Sequence, residues 1–172
     1  MIKTKLLSYA VCAIFLVAFS VFAQREKSAL LPSSEAKYVT EQCSRPSPDK
    51  FSDTWQPSKE EIKEMEAAFS QIKKLKARNC CMTGEQIENP EDFYMQYVGI
   101  VIDGKKLIYI NAFPEDSTMK YTQNDDSTFS LTKSEDWKKS AVGVCDGGSS
   151  YWGVLYDPKA KRFFDLAVNG SA

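Results

Sequence analysis

Residues 144–154, VCDGGSSYWGV, set a thiol, a carboxylate, a Gly-Gly pair, two serines and two aromatic rings side by side. Two roles suit Cys145. It would be a nucleophile if a neighbouring group lowered its pKa, or one end of a disulfide if the chain is exported. The sequence contains no histidine. Cys-His and Ser-His-Asp catalysis are therefore excluded, as are histidine-ligated metal sites. Lys138 and Lys139 are the nearby cations, and their spacing offers no geometry for activating a thiol.

Carboxylate chemistry is the remaining catalytic option. Asp146 would be the acid or base of a hydrolase, with Gln96 and Asn111 as polar orienters. Such chemistry needs two acids converging in a cleft. Asp92 and Asp165 are the candidates for the second acid, and no motif singles out either. The plainer reading of Gln96 and Asn111 is a cross-strand hydrogen-bonded pair. Asn124-Asp125-Asp126 lacks the alternating ligands and distal Glu of a calcium hand. No metal site and no cofactor is expected.

The N-terminus supplies the cellular context. Lys3 and Lys5 precede an apolar run from Leu6 to Ala23, and Val21-Phe22-Ala23 has the small-residue pattern of a cleavage site. This is the layout of a secretory signal peptide over residues 1–23, cleaved after Ala23. The product is expected to be periplasmic or secreted and free of the membrane. Losing Lys3 and Lys5 takes the formal charge from −1 to −3, which gives no electrostatic footprint for nucleic acid.

Cleavage also removes Cys12 and leaves Cys43, Cys80, Cys81 and Cys145. An even number in an exported chain reads as two disulfides. A Cys80–Cys81 bond would close a small strained ring. Each of the adjacent pair is therefore expected to reach a different partner, Cys43 or Cys145, in either arrangement.

These residues need elements to position them. Residues 24–35 are polar and read as a mobile leader, and residues 36–172 as a single domain. Ala36 to Gln42 suggests a short strand, followed by a Pro- and Ser-rich connection. Ser58 and Glu61 form a capping-box pattern. Ile62, Met65, Phe69, Ile72 and Leu75 then make one apolar stripe, predicting a helix over about residues 59–78. Trp55 is expected to fold back onto it.

Phe93 to Ile102 and Lys105 to Phe113 are apolar strands joined by Asp103-Gly104, a strong hairpin signal. That turn places Ile102 opposite Lys105, Ile100 opposite Leu107, Val98 opposite Tyr109 and Gln96 opposite Asn111. Both faces are apolar, so the hairpin should be central and covered on both sides. Residues 114–136 read as a solvated loop. Trp137 to Cys145, Tyr151 to Tyr156 and Arg162 to Val168 read as strands. Residues 146–150 read as a connection whose glycines permit positive φ.

The sum is an α+β domain. One long amphipathic helix packs on a four- to five-stranded antiparallel sheet in the order β-α-β-β-β-β, with two disulfides. That order resembles the cystatin-like arrangement. Trp55 and Pro57, the Cys80-Cys81 pair, QYVGI, INAFP, VCDGG, YWGVLYD and FFDLAVNG also resemble a group of small exported bacterial proteins without an established activity. The resemblance implies an exported single domain and carries no chemistry with it. The functional expectation is a non-enzymatic binding or inhibitory module for a protein or small-molecule ligand outside the cytoplasm. Its candidate binding residues are Gln96, Asn111, Asp146, Tyr151 and Trp152. The alternatives are the Asp146 hydrolase and a structural or self-assembling envelope protein.

Overall fold

The computed structural model describes residues 26–78, 85–123 and 129–171. The segment read as a signal peptide and the Cys80-Cys81 pair lie outside the described residues. The chain runs β1 (Ser28–Leu30), α1 (Ala36–Thr40), β2 (Asp53–Trp55) and α2 (Lys59–Ala67). It continues through β3 (Tyr94–Ile102), β4 (Lys105–Phe113), β5 (Met119–Gln123), β6 (Phe129–Lys133), β7 (Trp152–Asp157) and β8 (Arg162–Val168).

The two-residue turn sets the centre of the molecule. Asp103 and Gly104 take φ of 49° and 74°, the left-handed pair that a type I′ hairpin requires. β3 and β4 therefore pair in the expected register, with Gln96 opposite Asn111 and Ile102 opposite Lys105. They lie inside a six-stranded sheet of order β1-β3-β4-β7-β8, with β2 also on β3. β1 runs parallel to β3 beside Met95–Tyr97, and β2 runs antiparallel beside Gly99–Val101. Two short strands thus share one edge of β3.

Both faces are covered, as the apolar pattern predicts. Met95, Tyr97, Ile108 and Ile110 pack against Ile62, Met65, Phe69 and Ile72. Val98, Ile100, Leu107 and Tyr109 pack on the opposite side against Leu31, Ala36 and Val39. Full burial of each such side chain is worth about 1.5–3 kcal/mol. The capping box forms: Glu61 N–H donates to Ser58 Oγ at 3.2 Å, and Ser58 N–H donates to Glu61 Oε2 at 2.8 Å.

Other expectations are corrected. The long helix over 59–78 is a nine-residue α2 that gives way to a 3-10 segment at Phe69–Lys74. The stripe explains the change: Phe69, Ile72 and Leu75 are spaced by three, the period of a 3-10 helix. Ala36–Thr40 is helical, not extended. Ser28–Leu30, within the segment read as a mobile leader, forms β1. Residues 137–145 form no strand, while β5 and β6 pair inside the segment read as a solvated loop. The sheet is mixed rather than antiparallel, so the cystatin-like β-α-β-β-β-β order does not hold.

Gly99 marks a place where the backbone must come close. A Cβ there would overlap the Trp55 carbonyl oxygen and crowd Pro57. The missing side chain lets the Trp55 indole lie over the hairpin, where Nε1 donates to Leu107 O at 3.0 Å and Ile100 O at 3.2 Å.

The β5–β6 pair is a separate two-stranded sheet. At its end, Lys133 Nζ donates to the Tyr94 hydroxyl at 2.5 Å and to Glu115 Oε1 at 3.1 Å. Tyr94 in turn donates to Glu115 Oε1 at 2.9 Å. The Tyr94 hydrogen bond, then Lys133, holds the Glu115 carboxyl below its ordinary 4.5. The hydrogen bond to Tyr94, then Glu115, holds the Lys133 ammonium above its ordinary 10.5. A lowered carboxyl contributes stability above its unfolded pKa, and a raised ammonium contributes below its own. The docking is therefore complete between pH 4.5 and 10.5 and weakens outside that window. Amide exchange, corrected for intrinsic rates, should show β5 and β6 losing protection as acid protonates Glu115 below pH 4.5, while β3 and β4 keep theirs. Equal retention in all four strands once Glu115 is protonated would refute the assignment.

One disulfide is present among the described residues, and it joins Cys43 directly to Cys145. This overturns the expectation of two bridges through Cys80 and Cys81. Cys43 and Cys145 meet because Ser44 lies against the 145–147 turn: Asp146 N–H donates to Ser44 Oγ at 2.8 Å. The bridge spans 102 residues. Replacing both cysteines by serine should cost about 2–4 kcal/mol in denaturant unfolding. Non-reducing peptide mapping should recover a Cys43/Cys145 cross-linked fragment; a link from either to Cys80 or Cys81 would contradict the pairing.

Candidate functional site

A glutamine side chain offers two N–H donors and a carbonyl oxygen with two lone pairs. Buried Gln96 uses all four. Its Nε2 donates to Trp137 O at 2.5 Å and Ser140 O at 2.7 Å. Its Oε1 accepts from Asn111 Nδ2 at 3.1 Å and from Val142 N–H at 2.9 Å. Asn111 Nδ2 also donates to Val142 O at 2.8 Å. The cross-strand pair thus forms, and it binds the irregular 137–142 segment to the sheet in place of another strand.

The same cluster contains Arg45, which sequence reasoning missed. Arg45 is 5% exposed. Its Nη2 donates to Asn111 Oδ1 at 2.5 Å, and its guanidinium carbon lies 5.9 Å from the Tyr109 ring centre. Gly153, opposite Asn111 on β7, leaves space for both groups: a Cβ would overlap the Tyr109 hydroxyl and press on Arg45. The motif around Arg45, Ser-Arg-Pro-Ser-Pro, reads only as a connection. No signal in it announces burial.

The remaining candidates are dispersed. Trp152 is fully buried and packs edge-on against Phe93, 5.4 Å between ring centres. It belongs to the core under α2, on the face opposite Asn111. Tyr151 is half-buried, with its hydroxyl 2.9 Å from Ser117 Oγ. Asp146 is exposed, at φ 70°, and its carbonyl accepts from Asn169 Nδ2 at 2.9 Å. Asp165 pairs with Arg78 at 2.5 Å. The structure joins Gln96 to Asn111, and it brings neither Trp152 nor the Asp146 carboxylate to them.

An open groove of about 500 Å³ lies at the other end of the hairpin, lined by Trp55, Glu61, Gly104, Lys105, Lys106, Asp157, Pro158 and Lys159. The topology assembles it. β4 begins where antiparallel β7 ends, so the 103–104 and 158–161 turns share one end of the sheet. Trp55 is half-buried, its indole fixed by two backbone carbonyls, with Lys106 Nζ 5.2 Å from the ring centre. The two acids are engaged locally. Glu61 closes the α2 cap, and Asp157 Oδ1 accepts from Lys159 N–H and Ala160 N–H, each at 2.9 Å. Lys105, Lys106 and Lys159 form no ion pair among the described residues. Correct antiparallel topology is the signal that would have gathered these lysines from sequence.

Gln96→Met keeps the length of the side chain and deletes its hydrogen bonds. Trp137 O, Ser140 O and Val142 N–H would lose their side-chain partner, at about 1–3 kcal/mol for each buried polar group left unmet. A total loss of at least about 3 kcal/mol is expected, with faster amide exchange at Val142. Unchanged exchange there would show that the loop is held by something else.

Comparison with known proteins finds no matching family model, no similar curated protein and no similar solved structure.

Proposed function

We infer that the chain is an exported, non-enzymatic binding module, and that an anionic ligand occupies the groove over Trp55. One observation carries the reading: three lysines that form no ion pair among the described residues line one groove with an indole whose position is fixed by two hydrogen bonds. A fixed aromatic face gives contact area at low conformational cost. Unpaired lysines supply attraction and on-rate to a negatively charged partner. Export agrees with the apolar N-terminal run and with a Cys43–Cys145 bridge, since disulfides persist in oxidising compartments. The absence of histidine from the sequence supports a binder over the common nucleophilic enzymes.

The groove can be tested with poly-L-glutamate as an acidic probe, followed through tryptophan fluorescence. Trp137 and Trp152 are buried, which leaves Trp55 as the reporter beside the groove. Saturable binding that weakens with added salt is expected. The combined Lys105→Ala, Lys106→Ala and Lys159→Ala variant should bind at least tenfold more weakly, about 1.4 kcal/mol, with an unaltered melting midpoint. Equal binding by the native and triple-variant proteins would sink the assignment.

A further inference from the structure

A guanidinium stays charged at any ordinary pH. Burying one is costly unless negative charge or several acceptors meet it. Arg45 is 95% removed from solvent, yet no carboxylate pairs with it among the described residues. Its one hydrogen bond among the described residues goes to Asn111 Oδ1. Arg45 Nε is buried without a partner, and so is the hydroxyl of Tyr109. The two groups are neighbours: both crowd the space over Gly153, the guanidinium carbon 3.2 Å and the hydroxyl closer still to where a Cβ would stand. One fixed cation and two donors therefore share a small buried region, and neither donor has an acceptor among the described residues.

Charge-assisted donors with no acceptor are the recognition set for an anion. We propose that Arg45 and Tyr109 bind a single small monovalent anion, of halide or formate size, in the core over Gly153. One buried cation balances one negative charge, which selects a monovalent ion over sulfate or phosphate. Asn111 serves the site by holding Nη2, which fixes the guanidinium plane, and Gln96 holds Asn111. This site is separate from the groove over Trp55, and the proposal does not rest on that groove.

Bromide is a suitable probe, compared with sulfate at matched ionic strength. Bromide should raise the melting midpoint of the native protein saturably. A ligand at 100 times its Kd raises the folding constant about 100-fold. Arg45→Met should abolish the bromide dependence. Tyr109→Phe, which keeps the ring, should weaken bromide affinity at least tenfold and carries the test alone if Arg45→Met does not fold. Crystals soaked in bromide should show an anomalous peak within hydrogen-bond reach of Arg45 Nε and the Tyr109 hydroxyl. An equal bromide response in native protein and Tyr109→Phe, or density there that refines as water without a bromine signal, would overturn the proposal.

Discussion

Four hydrogen bonds converge on the buried amide of Gln96, and the irregular half of the molecule is organised around them. Residues 137–147 belong to no strand, so their backbone polar groups need partners supplied from elsewhere. Gln96 and Asn111 supply them for Trp137, Ser140 and Val142, and Asn169 Nδ2 supplies them for Val144 and Asp146. With the loop held in this way, Cys145 stands within bonding distance of Cys43, and Ser44 and Arg45 follow onto the sheet. Gln96, Asn111 and Asn169 thus place the loop that carries the covalent link, and Asn111 also holds the buried charge. Asn111 is the shared member. It bonds Gln96 with one part of its side chain and Arg45 with the other, so the two halves of the cluster are coupled.

Charge is distributed unevenly over this frame. Several acids are committed to local backbone or pairing roles: Glu61 in a cap, Asp157 in a turn, Glu115 with Lys133 and Tyr94, Asp165 with Arg78. Among the described residues, Lys105, Lys106, Lys159 and Arg45 have no acid to meet them. A net charge of −1 therefore conceals two positive places, an exposed one at the hairpin turn and a buried one at Arg45. Net charge reports on the whole chain. Recognition depends on which charges are already occupied.

The legible parts of the sequence were those governed by short-range rules. Asp103-Gly104 determines a register that runs unbroken from Ile102–Lys105 to Tyr94–Phe113. Ser58 and Glu61 cap a helix because their spacing is local. Failures arose where tertiary contacts decide. Tyr38, Val39 and Thr40 favour strand by propensity, yet Ala36 and Val39 turn inward from a single helical turn and a half. Ala141, Val142 and Val144 look like a strand because the loop is partly buried against Gln96, not because it alternates. β1 is three residues long, too short for a pattern to show. The cysteines misled most, since counting gives possible pairings and only proximity chooses among them. The candidate pair Gln96 and Asn111 was visible through register. Arg45 was not, because burial of a lone cation in a proline-rich connection has no local cause.

The two positive places also differ in what supports them. Asn111 lies six residues along β4 from Lys105, about 20 Å at the rise of an antiparallel strand. Between them stand Leu107 and Tyr109 on one face and Ile108 and Ile110 on the other, each buried in close-packed core. Such interiors deform little. The loop, disulfide and Arg45 cluster sit at one end of this hairpin, and Trp55 with its lysines sits at the other. Trp55 takes its position from Gly99, Ile100 and Leu107, none of which touches the polar cluster's hydrogen bonds. Loosening the clamp at the Asn111 end therefore leaves the indole's supports intact, so each site can be altered without dismantling the other.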